Sequence, residues 1–243
     1  MRLLTFSKRC AREMLRDPLN LAFGLGFPVV LLLLLSAIQS NVPVELFEIS
    51  HLTPGITTFG LAFLTLFSAT LIARDKETSF LQRLYTTPLT PSDYILGYLF
   101  PIIPFAIAQC AVCYLFASVL GLSITVNVLY AILMIVPIAM LYIGLGLLCG
   151  SVFNVKQVGG ICGALLTNVS AWLSGVWFDL DLVGGTFRKI ANLFPFVHAV
   201  ELERAVVRGD FSGGLPHLLP VLGYAAVTMV CAIFFFLRQM KDQ

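Results

Sequence analysis

Few residues in this chain have the types and spacing that do chemistry. Cys110 and Cys113 form a C-x-x-C pair, the spacing of thiol redox centres and of half a zinc site. They stand in a long uncharged stretch with no second ligand pair, so packing is the simpler account. Asp179 and Asp181 offer two carboxylates, His198 and Glu201 are one helical turn apart, and His51 and His217 lie elsewhere. None of these completes a ligand set for a metal, and solvated carboxylates are the plainer reading of the Asp pair. No serine, histidine and acid are spaced for hydrolysis. No GxxxxGK[ST] occurs, so there is no P-loop to hold nucleotide phosphates. The expectation is a chain that is not itself an enzyme, holds no metal or cofactor, and binds no nucleic acid.

The densest charge is Arg74-Asp75-Lys76-Glu77, which opens a polar island, 74–97, between apolar stretches. A charged residue at the centre of a membrane helix costs roughly 2.5–3.5 kcal/mol, so the four together would cost on the order of 10 kcal/mol. The island is therefore expected in water against one membrane face, with a partner protein docked on it.

Composition puts such a membrane in view. Hydrophobic residues make up 58% and charged residues 12%, with a mean hydropathy of +0.93. Soluble domains run at about 45–50% apolar and about 25% charged. Uncharged windows predict six membrane helices near 20–40, 54–73, 94–119, 125–150, 158–178 and 216–237. Continuous apolar runs, rather than alternation, argue against a β-barrel. With the N-terminus inside, 11 of the 15 basic residues face the cytoplasm, and both termini are cytoplasmic. The first apolar run is too long for a cleaved signal and lacks a small-x-small site. The cysteines at 10, 110, 113, 149, 162 and 231 fall in spans or in the N-terminal segment, so no disulfide framework is indicated.

Residues 1–17 read as an amphipathic helix lying in the membrane interface. Leu3, Phe6, Cys10 and Met14 share one face, while Arg2, Arg9, Arg12 and Arg16 lie elsewhere on the helix. Asp17-Pro18 ends it. An anchor to anionic lipid and a contact surface for a cytoplasmic subunit are both consistent with it. Residues 74–87 read as a short helix with Phe80, Leu81, Leu84 and Tyr85 as its apolar stripe. Pro88 stops that helix, and Thr90-Pro91-Ser92-Asp93 restarts the chain as a capped helix. Small residues mark packing faces: Gly160, Ala164, Thr167, Ala171 and Gly175 in the fifth span, and Gly146-xxx-Gly150 in the fourth. Packing within the subunit, a dimer contact and a substrate path all remain open for them. Residues 179–215 mix apolar residues with Glu201, Glu203, Arg204, Arg208 and Asp210, suggesting short helices that dip into the outer leaflet.

The island resembles the ABC-2 type permease family, the membrane subunits of bacterial ABC exporters. Arg74-Asp75-Lys76-Glu77, Leu81, Arg83-Leu84, Thr86-Thr87-Pro88-Leu89 and Tyr94-Ile95-Leu96-Gly97 carry the likeness, together with Arg16-Asp17-Pro18. Pro195, His198, Glu201 and Arg204 extend it across the chain. The family often has Lys where this chain has Tyr98.

The resemblance implies an all-α membrane domain over residues 1–243 with six membrane helices. It implies a connecting helix at 1–17 carrying Arg9, Arg12 and Arg16, and a cytoplasmic coupling region at 74–93. Glu77, Phe80, Leu81, Arg83, Leu84, Thr87 and Pro88 would dock on an ATPase subunit that binds ATP and Mg2+. It further implies an outer re-entrant region at 179–215, and a complex with a second permease copy in the cytoplasmic membrane. The second and fifth spans would line the path, offering Phe59, Phe63, Phe67, Asn168 and Trp172. Such a wall suits an apolar or amphipathic cargo, drug-like or lipid-like, and core packing accounts equally well for any one of these residues. A secondary transporter or channel, and a membrane protein conferring toxin immunity, are the alternatives. Mid-span ionisable residues, which ion coupling usually needs, are absent from the sequence pattern.

Overall fold

The computed structural model describes residues 2–41, 47–78 and 91–241, with side chains described over 3–41, 47–78 and 93–238. Among the described residues the chain is helical, with no strand. The elements are α1 (Arg2–Arg16), α2 (Pro18–Asn41) and α3 (Ile49–Glu77), α4 (Pro91–Val119) and α5 (Val126–Val152). A rod over 155–173, α6, follows as α-helical turns at Val155–Val158 and Thr167–Leu173 around a π-helical stretch, Gly159–Leu166. Then come α7 (Leu180–Val183), α8 (Gly185–Ala191), α9 (Pro195–Arg208) and α10 (Phe211–Lys241).

Five of these, α2, α3, α4, α5 and α10, are long and apolar enough to cross a membrane. They match five of the six spans expected from sequence. The fifth expected span, 158–178, is helical only as far as Leu173, within α6, and is not among the five. Lys156, Gln157, Thr167, Asn168 and Ser170 dilute its apolar character. Its glycines at 159, 160 and 163 constrain the backbone little, in keeping with the π-helical winding there.

Burial sorts the helices. In α3, 89% of the most apolar window is buried, against 22% in both α2 and α10. So α3 is the central post, and α2 and α10 expose long apolar faces. The α5 helix packs on α3, α4, α9 and α10. A Cβ on Gly146 would collide with Ser68 Oγ and Thr65 O, and one on Gly150 would sit 2.6 Å from Ala69 O. The Gly146-xxx-Gly150 pair therefore serves close approach of α5 to α3 within the subunit. Of the expected small-residue stripe in α6, Thr167, Ala171 and Gly175 are buried, while Gly160 and Ala164 are exposed.

The face holding α1, the end of α3 and the start of α4 is termed here the near face; the opposite end is the far face. At the near face Phe6, Cys10 and Met14 are buried, with the Phe6 ring edge-on to Tyr94 and Tyr98 of α4. Asp17 accepts from Leu19 N and Asn20 N and caps the helix that Pro18 opens. Toward the far face, α9 is wedged among α3, α5 and α10. Its Phe196 ring packs against Tyr142, while Asn127 of α5 donates to Val207 O at its other end. Residues 127 and 142 lie about 22 Å apart along a helix rising 1.5 Å per residue, so α9 runs from deep in the bundle to the far face. Gly209 ends it in the left-handed conformation, φ +79°.

Candidate functional site

Arg74-Asp75-Lys76-Glu77 forms the last turn of α3, and the helix ends at Thr78. The expected separate helix over 74–87 thus does not begin at Arg74. Nor does the charge cluster simply lie in water, because Asp75 is only 2% exposed. The expense of burying it is met by partners. Arg9 grips both carboxylate oxygens, Nη1 to Oδ2 at 2.7 Å and Nη2 to Oδ1 at 2.5 Å, and Tyr98 donates its hydroxyl to Oδ2 at 2.7 Å. A bidentate guanidinium with a third donor is the geometry in which a buried carboxylate is tolerated.

Burial alone would lower the Arg9 pKa, but the hydrogen bond and charge of Asp75, with Glu13 beside it, outweigh that and raise it. Arg9 is thus held firmly cationic. Burial pushes the adjacent Cys10 thiol up to about 12, against the opposing pull of Arg9, so it serves as packing rather than as a nucleophile.

The neighbours of Asp75 reach other helices. Lys76 Nζ donates to the carbonyls of Gly150, Ser151 and Phe153 at 3.3, 3.1 and 2.8 Å, the C-terminal end of α5. Glu77 Oε1 accepts from Val155 N at 2.9 Å, the first residue of α6. A cation on a helix C-terminus and a carboxylate on an N-terminus are both favourable to the helix dipole. Arg74 lies 3.7 Å from Asp17 at the head of α2. Four consecutive residues thereby tie α3 to α1, α2, α4, α5 and α6. Of the expected docking residues, Glu77 is placed in this way. Phe80, Leu81, Arg83, Leu84, Thr87 and Pro88 lie outside the described residues. Arg12 and Arg16 are exposed on α1.

Three of the expected path residues come together. Phe59, Asn168 and Trp172 line a cavity of about 400 Å³ with Thr167, Ala171, Trp177 and Phe178. Trp177 meets Phe59 edge-on at 5.5 Å, and Trp172 is 57% exposed. Phe63 and Phe67 are buried instead, Phe63 against Phe23 and Phe27 and Phe67 against Phe105, and neither lines that cavity. Trp177 and Phe178 also wall a larger cavity at the far face, about 800 Å³, which reaches Arg204 and Arg208.

Arg204 is buried and well held. It donates to Glu201 Oε1 at 2.9 Å, Gly175 O at 3.1 Å and His51 O at 3.3 Å. Glu201 therefore pairs with Arg204, while His198 faces His217 with its Nδ1 at 2.9 Å and Asn192 O with its Nε2. Asp179 caps α7 and Asp181 pairs with Arg188. Among the described residues no group of three or more candidate ligands is arranged for a metal. Cys110 and Cys113 are free and buried.

Two residues carry more than their place in the sequence shows: Tyr98, which holds Asp75, and Glu203. Glu203 is fully buried and accepts from Tyr114 of α4 at 3.1 Å, and its Oε2 lacks a partner among the described residues. No apolar run reveals this, because the acid arrives on α9 from another part of the chain. Burial raises its carboxyl to about 8, against the lowering effect of the Tyr114 hydrogen bond.

No match to the chain was found among curated proteins. The sequence model of the ABC-2 type transporter family matches residues 1–207, spanning α1, the Arg74–Glu77 clasp, the Phe59–Trp172 cavity and nearly all of α9. The chain is multi-pass in character and belongs to the ABC-2 type transporter family, the membrane component of ABC transporters.

Proposed function

We propose that this chain is the permease subunit of an ATP-driven exporter, carrying an apolar or amphipathic compound out across the cytoplasmic membrane. In this reading the near face is cytoplasmic, six helices cross the membrane with α6 among them, and α9 is a re-entrant helix of the outer leaflet. The working unit is two permease copies with two ATPase subunits, which bind the ATP and Mg2+.

The observation that carries the reading is the clasp at Arg74–Glu77. The docking stripe Phe80, Leu81 and Leu84 follows directly after it, so a pull on that stripe by closing ATPase subunits reaches α1, α4, α5 and α6 through short polar contacts. The shared walls Trp177 and Phe178 favour a route from the Phe59–Asn168–Trp172 cavity to the far face. Co-expression with a candidate ATPase subunit and reconstitution in vesicles test this. Transport should require ATP, and Phe80→Glu or Leu84→Glu should abolish coupling while the permease still folds. Unchanged transport in those variants defeats the assignment.

A proton-coupled carrier is the second reading, favoured by the buried Glu203 carboxyl. It requires uptake or efflux driven by a pH gradient without any ATPase.

A further inference from the structure

The near face carries a second polar feature that the clasp does not use up. Where α1 turns into α2, a cavity of about 600 Å³ is lined by Arg9, Arg12, Arg16 and Arg74, with Glu13 and Asp17 as its acids. Arg9 is already committed to Asp75 and Glu13, and Asp17 is 3.7 Å from Arg74. Arg12 and Arg16 make no hydrogen bond or ion pair among the described residues. Four guanidiniums thus stand against Glu13, Asp17 and the buried Asp75, and the positive excess, with Arg12 and Arg16 left to solvent, calls for an anion. Guanidinium forks match the oxygens of a phosphate.

The surroundings say which phosphate. Leu15 and Leu19, on either side of the turn, are 56% and 66% exposed, and Phe23 follows at 44%. They continue into α2, most of whose apolar surface is unburied. A ligand with a phosphate and hydrocarbon chains covers both the arginines and this apolar face, whereas a water-soluble partner leaves the leucines bare. We infer that the Arg9–Arg12–Arg16–Arg74 cavity is a binding site for the phosphate of an anionic phospholipid, whose acyl chains lie along the start of α2. The lipid then braces α1 beside the clasp.

The test uses the full chain, purified in detergent and titrated with phosphatidylglycerol, with phosphatidylcholine, or with inorganic phosphate. Retained lipid is counted by native mass spectrometry. Phosphatidylglycerol should be retained in preference to phosphatidylcholine. Arg12→Gln with Arg16→Gln should weaken that retention about 30-fold, each arginine near an anionic headgroup contributing on the order of fivefold. Neither arginine holds a hydrogen bond or ion pair among the described residues, so the variant should fold. Lys8→Gln removes an exposed charge from the same helix outside the cavity and should retain the lipid as wild type does.

Equal retention of both lipids, or equal loss in Lys8→Gln, overturns the site in favour of diffuse surface charge. Saturation by inorganic phosphate that blocks phosphatidylglycerol while acyl chains add no affinity overturns the lipid assignment in favour of a free anion. Unchanged lipid retention in the double variant, with loss of the ATPase subunit on co-purification, overturns it in favour of a protein contact.

Discussion

Tyr98 of α4 donates its hydroxyl to Asp75 of α3 across 2.7 Å, in a site where both side chains are essentially sealed from solvent. Arg9 closes the same carboxylate from α1. One acid thus joins three helices at the end of the central post. A lysine at position 98 would meet Asp75 with a charge. Tyr98 meets it with a neutral donor and packs its ring on Phe6 at 5.0 Å.

The three-way contact predicts strong coupling in a mutant cycle. Tyr98→Phe keeps the ring and removes one donor, and should destabilise the protein by about 1–2 kcal/mol. Arg9→Gln leaves the buried carboxylate with only Tyr98 and should destabilise it by about 2–3 kcal/mol, less than for a fully buried pair because Arg9 is 35% exposed. Combining Arg9→Gln with Asp75→Asn should recover part of that loss. Denaturation in detergent, followed by a helix-sensitive probe, measures Tyr98→Phe, Arg9→Gln, Asp75→Asn and the double variant, and strict additivity of Arg9→Gln and Asp75→Asn is incompatible with the contact.

Gly146 predicts the opposite kind of defect, one of too much volume. A methyl there meets Ser68 Oγ and the Thr65 carbonyl. Gly146→Ala should separate α5 from α3 and lower stability by about 1–3 kcal/mol. Ser68→Ala in the same chain should rescue only part of this, since the carbonyl of Thr65 is backbone and stays. The same detergent denaturation reads the outcome, and a neutral Gly146→Ala contradicts the packing.

Glu203 predicts a pH dependence. Its carboxyl is raised from the ordinary 4.5 to about 8 in the folded protein, chiefly by burial. Between those values the folded chain binds the proton and the unfolded chain does not. Its contribution to stability is therefore fully present below about 4.5 and is lost as pH rises to about 8. Glu203→Gln, which stays neutral, should flatten this part of the stability profile between pH 5 and 8. A profile of identical slope in the variant refutes the assignment.

Much of the plan is legible in order along the chain. Apolar runs announce α2, α3, α4, α5 and α10, because hydrocarbon leaves a helix no other way to satisfy its backbone. Asp17-Pro18 marks its helix boundary because its effect is local, fixed by φ restriction and a side-chain cap. The stripe Phe6, Cys10, Met14 shows that α1 has a face to bury. The sequence does not say that Tyr94 and Tyr98 receive it.

What tertiary structure alone decides is who meets a charged or polar group. From sequence, Arg74–Glu77 is a cluster too expensive to bury; in the fold Asp75 is buried, because Arg9, 66 positions earlier, and Tyr98 converge on it. Of Phe59, Phe63 and Phe67, identical in type and evenly spaced, only Phe59 reaches the cavity beside Trp172, since the others turn toward α2 and α4. From sequence Glu203 is one of several charges in a segment expected as short helices dipping into the outer leaflet, and only the fold shows that α9 carries it against Tyr114. Local sequence fixes helix periods and ends, because those depend on neighbours within a few residues. Pairing between helices depends on distances set by the whole packing, so only the three-dimensional arrangement settles it.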